Sequence, residues 1–175
     1  MLQCCLNGAR PADAHPAVPV TPRQLARDTR AVSTLGVLNV HVHPSPRSTS
    51  TGAGGSGCAL PSTRWASGWS WAFGPPATPC IKKAGLPRGT TRVLAEVTVT
   101  DSEISVAEAR RILTALGLMP VPILHGEDAG AWPVLEYARR IDLDTRIGFE
   151  DTLERPERAR PAVSNEELVR YAPTR

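Results

Sequence analysis

Val37-Leu38-Asn39-Val40-His41-Val42-His43 alternates with a period of two, the pattern of a strand whose faces meet different surroundings. Leu38, Val40 and Val42 fall on one face, and Asn39, His41 and His43 on the other. Imidazoles two residues apart on a strand project from the same side, a few ångströms apart, as two ligands of one tetrahedral metal ion must. On spacing alone, a pair of histidines hydrogen-bonded at a strand end is an equal alternative.

Upstream, Thr21-Pro22-Arg23-Gln24 supplies a capping threonine, a proline at the first helical position and a glutamine three residues after the cap. The helix that starts there carries Leu25, Val32 and Leu35 on one face and stops at Gly36. Leu2 to Leu6 is a short apolar run ending in Asn7-Gly8, which reads as a buried strand and loop. Residues 1–44 are thus strand, helix, strand.

Residues 91–175 repeat the style. Val93 to Val97 is rich in β-branched residues. Ser105-Val106-Ala107-Glu108 has capping-box spacing, and Ala109, Ile112, Leu113 and Leu116 form a helical stripe ending at Gly117. A strand over Pro120 to Leu124 delivers His125, Glu127 and Asp128, a helix spans Pro133 to Ile141, and a strand over Thr145 to Phe149 delivers Glu150-Asp151. Alternation of strands with helices implies a parallel α/β sheet or barrel.

Between them, residues 45–90 break the pattern. Ser, Thr, Gly and Pro make up 22 of the 36 residues from Ser45 to Cys80, and neither helical nor strand periodicity is evident. A flexible surface insertion is one reading. Trp65, Trp69 and Trp71 count against it, because disordered linkers are poor in aromatics. Translation of a GC-rich gene out of frame is the sharper one.

Charge is segregated. No Asp or Glu lies between Asp28 and Glu96, where Arg30, Arg47, Arg64, Lys82, Lys83, Arg88 and Arg92 fall, while Glu96 onward holds 15 acidic and 10 basic residues. Seven thinly scattered cations do not make a nucleic-acid surface, and no nucleic-acid partner is expected. Cys4, Cys5, Cys58 and Cys80 contain no C-x-x-C pair. Nor is there a signal-peptide pattern or an apolar run of about 20 residues. A cytoplasmic chain with no membrane partner is expected.

The last strand closes the candidate site. Arg146, Gly148 and Glu150 alternate with Ile147 and Phe149, so one face presents a guanidinium, a gap and a carboxylate. In a parallel barrel the last strand lies beside the first and the first beside the second, so Glu150 can approach His41 and His43. Two histidines and a carboxylate make a catalytic-type zinc shell with one position open. The alternative for Arg146 and Glu150 is a buried ion pair that merely closes the barrel. Glu127 and Asp128 suit the amino terminus of the following helix, with His125 as a supporting group; Glu96 suits a solvated strand end.

Five motifs in order then carry a resemblance. Leu6-Asn7-Gly8-Ala9-Arg10, the His15-Pro16-Ala17-Val18-Pro19-Val20-Thr21-Pro22 lead-in to the first helix, His41-Val42-His43-Pro44, His125-Gly126-Glu127-Asp128 and Arg146-Ile147-Gly148-Phe149-Glu150-Asp151 resemble the β-keto acid cleavage enzyme family, over roughly residues 1–44 and 90–170. The family's founding activity is 3-keto-5-aminohexanoate cleavage. The resemblance implies a (β/α)8 TIM barrel with one Zn2+ per chain on His41, His43 and Glu150. It implies acyl transfer between a β-keto acid and acetyl-CoA, giving acetoacetate and a new CoA thioester. Asp151 matches the family's acid/base residue, paired with Arg146, which also holds an anionic substrate oxygen; homo-oligomers are the rule.

At 175 residues the chain is short for such a barrel, which needs about 250. A single barrel domain with its middle strands missing or replaced by irregular sequence is therefore expected. The segment 45–90 offers no counterpart to the family's serine, threonine and further carboxylate contacts. Two alternatives stay open: an inactive, truncated or frameshifted member with at most residual metal binding, and an amidohydrolase-like barrel. Amidohydrolases place His-x-His on the first strand and a metal-binding Asp on the last, unlike the order here.

Overall fold

The computed structural model describes residues 1–8, 10–11, 13–43, 61–65, 68–73, 90–117, 122–157 and 160–172. The fold is α/β, and the chain divides into two compact units, one formed by Met1–Ser50 with Thr145–Arg175 and the other by Thr51–Asp144.

In the first unit, β1 (Leu2–Cys5) is flanked by β2 (Asn39–His41) and β7 (Asp144–Ile147), both parallel to it. Cys5 pairs with His41 and Cys4 with Ile147. A parallel β1–β2 pair requires a crossover, and α1 (Pro22–Ser33) provides it. Its start follows the sequence: the Thr21 hydroxyl accepts from Gln24 N, the Gln24 side chain accepts from Thr21 N, and Pro22 opens the helix. Its end is a Schellman arrangement, with Gly36 N donating to Ser33 O and Val37 N to Val32 O. Cys4, Cys5, Leu6, Val32, Ile147, Phe149 and Leu168 are completely buried. Leu38 is 88% exposed, so the histidine-bearing face of β2, not the valine face, turns inward.

A short helix, α4 (Asn165–Tyr171), packs against α1. Sequence periodicity gives no warning of it, but Ser164-x-x-Glu167 has capping-box spacing. Ser164 Oγ accepts from Glu167 N, and the Glu167 carboxylate accepts from Val163 N.

In the second unit, β4 (Gly68–Phe73), β5 (Thr90–Val97) and β6 (Pro122–Gly126) run parallel, and β3 (Pro61–Trp65) pairs antiparallel with β4. Helix α2 (Ser105–Leu116) connects β5 to β6, and α3 (Ala131–Arg140) follows a 3-10 turn at Asp128–Gly130. Val93, Ala95, Val97, Ala109, Ile112, Leu116, Leu124, Val134 and Ala138 form its core.

Two expectations need correction. The segment 45–90 contains strands: Trp69, Trp71 and Phe73 alternate with Ser70 and Ala72, and aromatics favour strands. The Ser, Gly and Pro around them hid so short an alternation; residues 44–60, 66–67 and 74–89 lie outside the described set, with any frame shift there. The box at Ser105 does not form either. Helix α2 is preceded by a turn in which the Asp101 carboxylate accepts from Glu103 N and Ile104 N, and Ser105 Oγ donates to Ser102 O. An acidic side chain one turn earlier takes the exposed amides first.

No helix among the described residues is long and apolar enough to cross a membrane. Cys4 and Cys5 are buried free thiols.

Candidate metal centre

Three parallel strands, β2, β1 and β7, end at the same rim, and the segments at the ends of β2 and β7 supply one cluster across β1. His41 closes β2 and His43 follows two residues on; their Nε2 atoms lie 2.8 Å apart. Glu150, three residues past β7, places Oε2 at 3.7 Å from His41 Nε2 and Oε1 at 3.6 Å from His43 Nε2. All three ligand atoms fall within 4.8 Å of one another, so the cluster could hold a metal ion.

Ligand chemistry tests the fit. Zinc bonds of about 2.05 Å give a tetrahedral edge of about 3.3 Å. The imidazole nitrogens lie 2.8 Å apart, and each lies near that edge length from a different Glu150 oxygen, His41 at 3.7 Å from Oε2 and His43 at 3.6 Å from Oε1. Glu150 Oε2 is buried and accepts no hydrogen bond among the described residues, which is costly for a carboxylate oxygen unless a cation takes its lone pair. Zinc suits a shell of two imidazoles and one carboxylate.

Protonation is divided among the three. Burial lowers the His41 pKa more than Glu150 raises it, which favours a neutral ring. The adjacent Glu150 carboxylate raises that of His43 despite partial burial. Burial pushes Glu150 upward, but His43, Arg146 and His41 together hold it at about 2. Glu150 is thus in the form a metal requires, His41 is shifted toward it, and His43 holds its proton more tightly than a free imidazole, so proton and metal compete most directly there.

Backbone geometry delivers these side chains. Asn7, at the end of β1, grips His43 at both backbone atoms: its Nδ2 donates to His43 O at 2.8 Å and its Oδ1 accepts from His43 N at 2.9 Å. Gly8, at φ 59°, leaves space for Glu150, since a Cβ there would lie 2.4 Å from Glu150 Cγ. Arg10 donates from Nε to Phe149 O and from Nη2 to Asp151 O, holding the turn that carries Glu150. Asn165, on α4, accepts from Phe149 N at 2.8 Å.

Beside the cluster, buried Arg146 donates from Nε to Asp151 Oδ1 at 2.9 Å and from Nη2 to Glu150 Oε1 at 3.1 Å. Asp151 is completely buried. The structure therefore brings together His41, His43, Glu150, Arg146 and Asp151. Asn7, Arg10 and Asn165 are the residues that sequence reasoning left without a role. Only Asn7-Gly8, readable as a strand-ending loop, carries a local signal.

His125 and Glu96 belong to the second unit, paired in register at the ends of β6 and β5 with His125 Nε2 at 3.9 Å from Glu96 Oε1. Glu127 directly precedes the 3-10 turn and Asp128 opens it, just ahead of the start of α3. In the first unit, a cleft of about 510 Å3 is lined by His15, Pro16, Arg155, Arg160, Pro161 and Val163 among others. Its Arg155 guanidinium is already paired with Glu167.

A scan against protein-family models finds no match to this chain, and neither does a search of curated proteins.

Proposed function

We propose that this chain is a zinc protein of the β-keto acid cleavage type, exchanging an acyl group between a β-keto acid and acetyl-CoA to give acetoacetate and a new CoA thioester. The observation that carries the reading is the convergence of His41, His43 and Glu150 from the carboxyl ends of two parallel strands that flank β1. The order β2-β1-β7 is also the one a closed (β/α)8 barrel gives its second, first and last strands.

When bound, zinc would supply Lewis-acid polarisation of the substrate carbonyl and carboxylate. The chain's own residues do the rest. A carboxylate oxygen of Asp151 receives the proton removed from the carbon between the keto and carboxylate groups, leaving the electron pair as an enolate. Arg146 orients that carboxylate through Nε, and its charge favours an anionic substrate oxygen nearby. A homo-oligomer is part of this proposal.

The test is acetoacetate formation by zinc-loaded protein from acetyl-CoA and a panel of β-keto acids, 3-keto-5-aminohexanoate among them. Asp151→Asn is expected to bind zinc but to lose about 100-fold or more in turnover, the scale of a general base. A folded, zinc-loaded wild-type chain that forms no acetoacetate from any of them would overturn the activity and leave a metal-binding protein.

A further inference from the structure

We infer that Asn165, oriented by Asp28, is a positioning residue that sets the distance between Glu150 and the two imidazoles. The inference rests on the metal reading above and assigns a determinant of affinity and coordination geometry to a helix that carries no ligand.

Asn165 is completely buried, and both ends of its amide are bonded. Oδ1 accepts from Phe149 N at 2.8 Å, while Nδ2 donates to Leu6 O at 2.9 Å and to Asp28 Oδ2 at 3.1 Å. Phe149 N belongs to the peptide one residue before Glu150. Leu6 O belongs to the peptide that leads into Asn7, and Asn7 holds both backbone atoms of His43. One amide therefore ties the strand end bearing the carboxylate to the strand end that fixes an imidazole.

Its orientation is determined. Turned over, the amide would set its oxygen against two acceptors and its NH2 against the Phe149 N–H. Asp28, itself buried on α1 and paired with Arg27, is the acceptor that makes the reversed setting worst. The separations at the centre lie close to the tetrahedral edge, so a shift of a few tenths of an ångström in the Gly148–Phe149 peptide, carried on to Glu150, decides whether three ligands reach one ion together. Capping does not explain Asn165, because Ser164 caps α4.

The experiment is a cobalt(II) titration of the full chain, read by visible absorption and compared with thermal melting. Asn165→Ala is expected to weaken cobalt binding about tenfold, the scale for groups that orient ligands, and to alter the absorption bands. Asp28→Ala, which leaves the bonds to Phe149 and Leu6 in place, should change both in the same direction and serves if Asn165→Ala does not fold. Leu168→Ala is the control: it removes a buried side chain from the same helix and should lower the melting temperature without moving the bands. Unchanged bands and affinity in folded Asn165→Ala or, where it does not fold, in Asp28→Ala would overturn the inference, as would equal changes in Leu168→Ala. No cobalt uptake by the wild-type chain would instead remove the metal reading itself.

Discussion

Arg146→Ala is expected to destabilise the metal-free chain by about 3–5 kcal/mol, the cost of breaking a buried ion pair from one side. Arg146 is 3% exposed and its partner Asp151 is completely buried, so truncation removes the cation while the carboxylate stays in a low-dielectric environment. Glu150 Oε1 loses the same guanidinium at 3.1 Å. Lysine keeps the charge but not the two-armed fork that spans Asp151 and Glu150, so Arg146→Lys should recover only part of the loss. Urea unfolding in the presence of a chelator measures the effect. Arg146→Ala combined with Asp151→Ala should be less damaging than the sum of the single changes, because the double variant no longer buries that carboxylate. Simple additivity would mean that the pair contributes little.

Gly148→Ala is the second large effect, expected to cost about 3 kcal/mol or more. A Cβ at this position would lie 2.0 Å from Cys5 O, 2.7 Å from Cys5 C and 2.8 Å from Cys5 N. All three are backbone atoms of the central strand, so no side-chain rotation relieves the clash, and the end of β7 must move away from β1. The move would displace the next residues, Glu150 and Asp151, so zinc affinity should fall together with stability. Chemical denaturation and zinc titration of the same sample check both; a variant with wild-type stability would show that the β1–β7 approach is looser than described.

Much of the site was legible because its residues obey short-range rules. A period of two places His41 with His43, and parallel-strand adjacency brings them to the end of β7. The alternation expected from Arg146 to Glu150 is not what delivers the carboxylate, because β7 ends at Ile147 and Glu150 arrives on the turn that follows. Helix α1 was readable down to its capping residue, since the Thr21–Gln24 box is local. What was not legible acts over distance. Asn165 meets Leu6 and Asp28 at separations of 159 and 137 residues, and Asn7 meets His43 at a separation of 36, each by contacting a backbone atom or a carboxylate that leaves no pattern in sequence. The misplaced start of α2 has a different cause. Asp101 and Ser105 both have capping chemistry, and only the folded turn shows that Asp101 takes the amides.

The most direct test of the account is zinc stoichiometry by equilibrium dialysis combined with X-ray absorption at the zinc edge, on wild type and on Glu150→Ala. One zinc per chain is expected, with two imidazole nitrogens at about 2.0–2.1 Å and a carboxylate oxygen at about 2.0–2.2 Å, the oxygen being lost and affinity reduced in the variant. A chain that binds no zinc, or whose bound zinc keeps the same shell when His41 and His43 are both replaced by alanine, would contradict it.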